Sequence, residues 1–187
     1  MRLSKPKQRK SRICAIALFV VFTPAIYAQE PPSTTVTGGK IRGDRLNAAG
    51  AVFKGIPFAA PPVGELRWRE TNPVKPWVGV RDATVFGSRC MQTGNNVSED
   101  CLYLNVWTPE WPVKSRRPVM LWIPGGGKFA GSSSDAVFDG QKFADRGVVL
   151  VSANYREPTS APRSDPSGRS CPRHDVPARC FWILRPS

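Results

Sequence analysis

Histidine is almost missing from this chain: His174 is the only one in 187 residues. Imidazole is the most frequent general base and a frequent zinc ligand. Chemistry of either kind would rest on one residue with no partner motif beside it. The five cysteines include no CxxC pair, so no metal is expected. Acidic residues are also scarce, 14 against 27 lysines and arginines. No Gly-x-x-x-x-Gly-Lys-Ser/Thr occurs, which excludes a phosphate loop. Internal repeats and low-complexity linkers are missing too. The single long apolar run, Ile13 to about Ile26, falls short of the ~20 residues that cross a bilayer.

That run follows basic residues spread over Arg2 to Arg12. A basic start followed by a short apolar core is the layout of a secretory signal, with Ala28 the last residue before cleavage and Gln29 the mature start. A retained anchor is the alternative. Residues 1–28 are therefore expected to send a secreted or periplasmic protein across a membrane, with no membrane contact beyond the signal peptide. The formal charge of +13 includes six basic residues of this leader and a net +2 after Arg156, leaving +5 on the body. Basic residues there are scattered among acids without interleaved aromatics, which argues against a nucleic-acid partner. The mature chain, about 160 residues, suits one ordinary domain.

Within the body, Thr34 to Ile41 and Ala51 to Lys54 are predicted strands. Pro57 to Pro73 is a proline-punctuated loop in which Phe58, Leu66 and Trp68 pack inward. Leu102, Leu104 and Val106 alternate with Tyr103, Asn105 and Trp107, a strand with two differently dressed faces. Val119 to Ile123, bounded by Pro118 and Pro124, has the branched and aromatic character of a buried central strand. Asp135 to Arg146 is expected to hold a short helix before a strand over Val148 to Ser152. Trp68, Trp107 and Trp122 are expected to be buried anchors.

Gly125, Gly126 and Gly127 follow the Trp122 strand directly. Three residues without Cβ atoms can turn sharply, adopt positive φ and aim successive N–H groups into one small volume. Such a loop is either a plain turn or an anion nest. In its sharpest form the nest is half of an oxyanion hole, holding the negative oxygen of an acyl-transfer intermediate.

Trp122-Ile-Pro-Gly-Gly-Gly127 resembles the WIHGGG-type segment of type-B carboxylesterases, the cholinesterase-like branch of the α/β-hydrolase fold. Three more stretches resemble that family in the same order: Phe53 to Trp68 (FKGIPFAAPPVGELRW), Ser98 to Trp107 (SEDCLYLNVW), and Val149 to Arg156, a strand ending in Asn-Tyr-Arg. The resemblance covers roughly Thr34 to Arg156. It implies an α/β class, an N-terminal fragment of the hydrolase fold with antiparallel edge strands plus the first central strands, over residues 29–156. The activity it implies is hydrolysis of small-molecule carboxylic esters through an acyl-serine, with no cofactor. Carried over residue by residue, the backbone amides of Gly126 and Gly127 would be oxyanion donors, with Gly125 supporting the turn. The chemistry also needs a nucleophilic Ser on a Gly-x-Ser-x-Gly elbow and a His with an acidic partner. No such elbow occurs, so the chain alone is expected to be inactive. Pro124 stands where the family usually has His or Tyr, which alters the support around the hole, and Lys128 adds a charge beside it.

Cys90 and Cys101 bracket a short polar loop. Pairing is the simplest expectation for a secreted chain, and the resemblance implies a bridge at these positions. Asn96-Val-Ser98 inside that loop is a glycosylation sequon. Ser98, Glu99 and Asp100 are expected to cap and salt-bridge the loop, and Asn154, Tyr155 and Arg156 to act as scaffold, Arg156 pairing with a carboxylate. From Glu157 the text turns proline- and arginine-rich with no apolar period, a disordered tail over 157–187. Offset by one nucleotide, codons allowed for Ser164 to Gly168 can spell Leu-Thr-His-Pro-Glu. Those for Phe181 to Pro186 can spell Ser-Gly-Ser-Tyr-Gly-Leu, and both are similar to family segments. The tail therefore reads as out-of-frame, with His174, Cys171 and Cys180 accidents of that frame. Two other classes stay open: a non-catalytic cholinesterase-like binding module, and a basic secreted peptide acting through its arginine-rich tail.

Overall fold

The computed structural model describes residues 30–157 apart from 48, 128 and 129. The segment expected to be a signal, the expected out-of-frame tail beyond Glu157, Lys128, His174 and the cysteines of that tail lie outside the described residues.

Two sheets carry the fold. In the smaller one, β1 (Ser33–Val36) and β2 (Gly39–Arg42) form an antiparallel hairpin and β5 (Val80–Asp82) runs parallel to β2. The single strand expected over Thr34 to Ile41 is thus two strands. Thr37-Gly38 makes the turn, and Gly38 has no room for a side chain because Trp77 lies 2.0 Å from where its Cβ would be. The larger sheet has the order β3-β4-β6-β8-β7, with β3 Asp44–Leu46, β4 Gly50–Pro57, β6 Tyr103–Thr108, β7 Val119–Trp122 and β8 Val149–Ala153. Its first four strands pair antiparallel and only β7 and β8 pair parallel. This is the expected arrangement of antiparallel edge strands leading into the first central strands.

Two-residue periodicity sorts the side chains of β4, β6 and β8 onto two faces. Phe53, Ile56, Leu104, Val106, Val149 and Ala153 pack with Ile41 of β2 and Ala83, so the small sheet covers one face. Val52, Trp107 and Leu150 meet Ala144 of the short helix α1 (Gln141–Ala144) on the other. Trp107 is 1% exposed and fulfils its role as an anchor. Trp68 is only half-buried.

Trp122 departs from expectation more strongly. It is 38% exposed, alongside Val119, Met120 and Ile123 at 42–45%. The composition of β7 is that of a central strand, but among the described residues it is the edge of its sheet, with β8 on one side only. Its packing partner is Phe138, with ring centroids 4.9 Å apart.

Candidate functional site

The glycine loop sits where β7 ends, at the carboxyl end of a strand paired in parallel, the rim that carries ligands in open α/β sheets. Pro124 is buried and Gly125, Gly126 and Gly127 are exposed. Gly126 has φ +146° and Gly127 φ +64°, conformations that side-chain-bearing residues rarely adopt. Space is equally restrictive at Gly126, where a Cβ would lie 1.6 Å from the Ala130 carbonyl oxygen. Across the loop, a Cβ on Gly131 (φ +121°) would lie 2.3 Å from the Gly125 carbonyl oxygen. The two legs therefore touch backbone to backbone and close a ring. Gly125 itself faces open space.

The exit leg of this ring is held at successive positions. Gln92 bonds both backbone groups of Gly131, accepting from its N–H (2.9 Å) and donating to its carbonyl (2.8 Å). The Ser132 N–H donates to Asp135, which is itself paired with Arg89 at 3.1 Å. The Ser133 N–H donates to Asn154 Oδ1 (2.8 Å), and the Ser133 carbonyl accepts from Ser152 Oγ (3.1 Å) and Asn105 Nδ2 (3.3 Å). Ser132, Ser133, Ser152, Asn105 and Asn154 are all buried, and buried polar groups are tolerated because each has a partner. Asn105 Oδ1 also accepts from the Gly55 N–H at the bulge of β4, and Asn154 Nδ2 donates to the carbonyls of Ser88 and Cys101. Asn154 thus has the scaffold role expected of it.

The entry leg is different. Among the described residues, neither the Gly126 nor the Gly127 N–H donates to any group. Two adjacent amides with no acceptor among the described residues, beside a leg that is held in place, can receive a negatively charged oxygen.

Cys90 and Cys101 form a disulfide; Arg89 just before it and Gln92 within its loop both join the clamp. Glu99 accepts two hydrogen bonds from Arg67, at 2.6 and 2.8 Å, and Ser98 Oγ caps the Asp100 N–H. Both match the structural role expected of that acidic stretch. Arg156 Nη1 donates to the Arg69 carbonyl at 2.8 Å. Glu157 falls in the tail by its sequence, yet it is 3% exposed. Burial raises its pKa above the ordinary glutamate value, a hydrogen bond with Tyr155 opposing. The small cleft formed by Pro62, Arg67, Trp68, Glu99, Arg156 and Glu157 includes no residue of the glycine loop.

Sequence reasoning missed Gln92, Arg89, Asp135, Asn105 and the Ser132–Ser134 run. Asn105 carried a readable signal, since an amide at an inward position of Leu-Tyr-Leu-Asn-Val-Trp must find buried partners. Gln92, a loop residue of no special pattern, carried none.

Residues 30–157 match the family model described as the carboxylesterase family. The fumonisin B1 esterase of Sphingopyxis macrogoltabida is 47% identical over 112 residues, covering 56% of this chain and 21% of that protein. The para-nitrobenzyl esterase of Bacillus subtilis (strain 168) is 41% identical over 133 residues, covering 65% of this chain and 27% of its own. Among solved structures, a carboxylesterase of Geobacillus stearothermophilus superposes with a TM-score of 0.64 at 43% identity, covering 67% of this chain and 26% of that one. The chain thus spans about a quarter of the length of the relatives it matches.

Proposed function

The chain belongs to the carboxylesterase family, with the α/β-hydrolase fold, and from that premise we propose that its glycine loop is the backbone half of an oxyanion hole for small-molecule carboxylic esters. The observation that carries this reading is the pair of open amides, Gly126 and Gly127, on a loop whose exit leg is bonded residue by residue. The ester hydrolases among its relatives support the same kind of chemistry.

In this reading a serine oxygen attacks the ester carbonyl carbon, and the carbonyl oxygen takes up the negative charge. Gly126 and Gly127 donate to that oxygen as the charge develops. Collapse of the intermediate returns the electron pair to the carbonyl and expels the leaving oxygen, which takes up the proton lost by the serine and departs as the alcohol, leaving an acyl-serine that water then hydrolyses. A donor of this kind typically contributes ~3 kcal/mol to the barrier reduction. The 187 residues contain no Gly-x-Ser-x-Gly elbow, so as they stand they lack the nucleophile and turn over no ester. The same absence favours a second reading, a folded but non-catalytic binding module of the family. Export directed by residues 1–28 is supported by the Cys90–Cys101 disulfide, which belongs to an oxidising compartment.

A two-part assay tests the reading. The purified chain should leave a chromogenic short-chain ester untouched, and any turnover that copurifies with it overturns the inactivity. A chimera carrying residues 30–157 in place of the matching segment of the para-nitrobenzyl esterase should hydrolyse the same ester. A folded chimera with no activity would refute the oxyanion role.

A further inference from the structure

Gly131 has both of its backbone hydrogen-bonding groups held by one side chain from 39 positions earlier in the chain. Gln92 Oε1 accepts from the Gly131 N–H at 2.9 Å and Gln92 Nε2 donates to the Gly131 carbonyl at 2.8 Å, as a neighbouring strand would. The same Nε2 donates to the Cys90 carbonyl at 3.1 Å, which ties the amide to the base of the disulfide loop. Arg89 Nη2 reaches Oε1 at 3.5 Å from the other side while pairing with Asp135. Each polar atom of the Gln92 amide is thus engaged, in a fixed orientation.

What Gln92 holds bears directly on the open donors. Gly131 lies against the Gly125 carbonyl oxygen so closely that no Cβ could stand between them. The Gly125 carbonyl and the Gly126 N–H belong to one planar peptide group and point in opposite directions. Whatever fixes the carbonyl therefore fixes the direction of the Gly126 N–H. The next contact around the ring sets the Ala130 carbonyl oxygen against the Cα of Gly126, between the two peptides that carry the Gly126 and Gly127 N–H groups.

We propose that Gln92 is a positioning residue for the Gly126 and Gly127 amides, acting through Gly131 and the Gly125–Gly126 peptide plane. This rests on reading the loop as an oxyanion hole. The amide itself is what matters, because only a group with a donor and an acceptor side by side can serve both backbone groups of Gly131. A carboxylate of the same shape accepts from the N–H but sets a second acceptor against the carbonyl.

Gln92→Glu is therefore the discriminating variant, with Gln92→Ala beside it. In the chimera, both should lower kcat per titrated active site by about 10- to 100-fold, one imperfectly aimed donor, with KM within about twofold. A residue that only packed the disulfide loop would tolerate the isosteric Gln92→Glu, and an unchanged kcat in that variant overturns the proposal. In the full 187-residue chain, backbone 15N relaxation gives a readout that needs no activity. Order parameters at Gly126 and Gly127 should fall from a rigid value near ~0.85 to below ~0.6 in both variants. Unchanged order parameters there refute the role of Gln92, even if the chimera proves inactive and the oxyanion reading itself has failed.

Discussion

At the scale of single residues, three adjacent glycines with one chemical identity have different reasons to be there. Gly126 is excluded from substitution by φ +146° and by the Ala130 carbonyl oxygen 1.6 Å from any added Cβ, whereas Gly125 faces open space. Gly126→Ala should therefore destabilise the chain by about 2–4 kcal/mol, as strain at a glycine-only backbone position with a backbone clash requires. Gly125→Ala should cost under about 1 kcal/mol. Urea unfolding of the two variants measures the difference, and equal midpoints would mean that the ring is not closed as described. Glu157 supports a prediction with pH. Its native pKa is raised, chiefly by burial, so its contribution to stability is fully present below the unfolded value of 4.5 and is lost as pH rises through the native value. Gln at this position keeps the neutral form at every pH. Gln and Glu should thus unfold at the same midpoint in acid, and Glu157→Gln at the higher one near neutrality. Parallel midpoint-against-pH curves would contradict a buried carboxyl at this position.

Elements were legible where apolar residues dictate them. The runs behind β4, β6 and β8 bury both faces, so their period and length announce strands whatever surrounds them. The hairpin of β1 and β2 reads as one strand over Thr34 to Ile41 because only two glycines interrupt it, while the packing of Trp77 against the turn comes from 39 residues away in sequence. Three-residue strands such as β3 and β5, largely exposed and charged, carry no periodic signal. The glycine loop was legible because three glycines leave few alternatives; its clamp was not, since Gln92, Arg89 and Asp135 meet only after the disulfide loop has folded back. That loop is itself a testable element. Cys90–Cys101 joins residues 11 apart in sequence, and closing so short a loop restricts the unfolded chain by about 2–3 kcal/mol. The double variant Cys90→Ser with Cys101→Ser should lose that amount in denaturant titration. It should also lose protection from hydrogen exchange at the Gly131 N–H, because Gln92 is anchored to Cys90 by its carbonyl. Retained protection would show that Gln92 does not depend on the bridge.

For the molecule as a whole, the decisive feature is an imbalance between the two ends of the larger sheet. At the β3 end the strand is short and polar, with Asp44 and Arg45 facing solvent, which discourages further pairing. At the β7 end the residues are those of a sheet interior. Val119, Met120, Trp122 and Ile123 are 38–45% exposed, and the ladder of β7 is occupied by β8 alone among the described residues. An unpaired apolar edge can satisfy its backbone groups and bury its side chains by pairing with another copy of itself. The purified chain should accordingly self-associate in the micromolar range, read as a rise of weight-average mass with concentration in sedimentation experiments. Met120→Lys places a charge on that edge without touching the two packed faces of β4, β6 and β8, so it should shift the association to at least tenfold higher concentration while leaving the unfolding midpoint nearly unchanged. A chain that stays monomeric at about 100 μM, or a lysine variant that associates as the parent does, would mean that the edge of β7 is covered and that this strand's exposure is not what governs the molecule in solution.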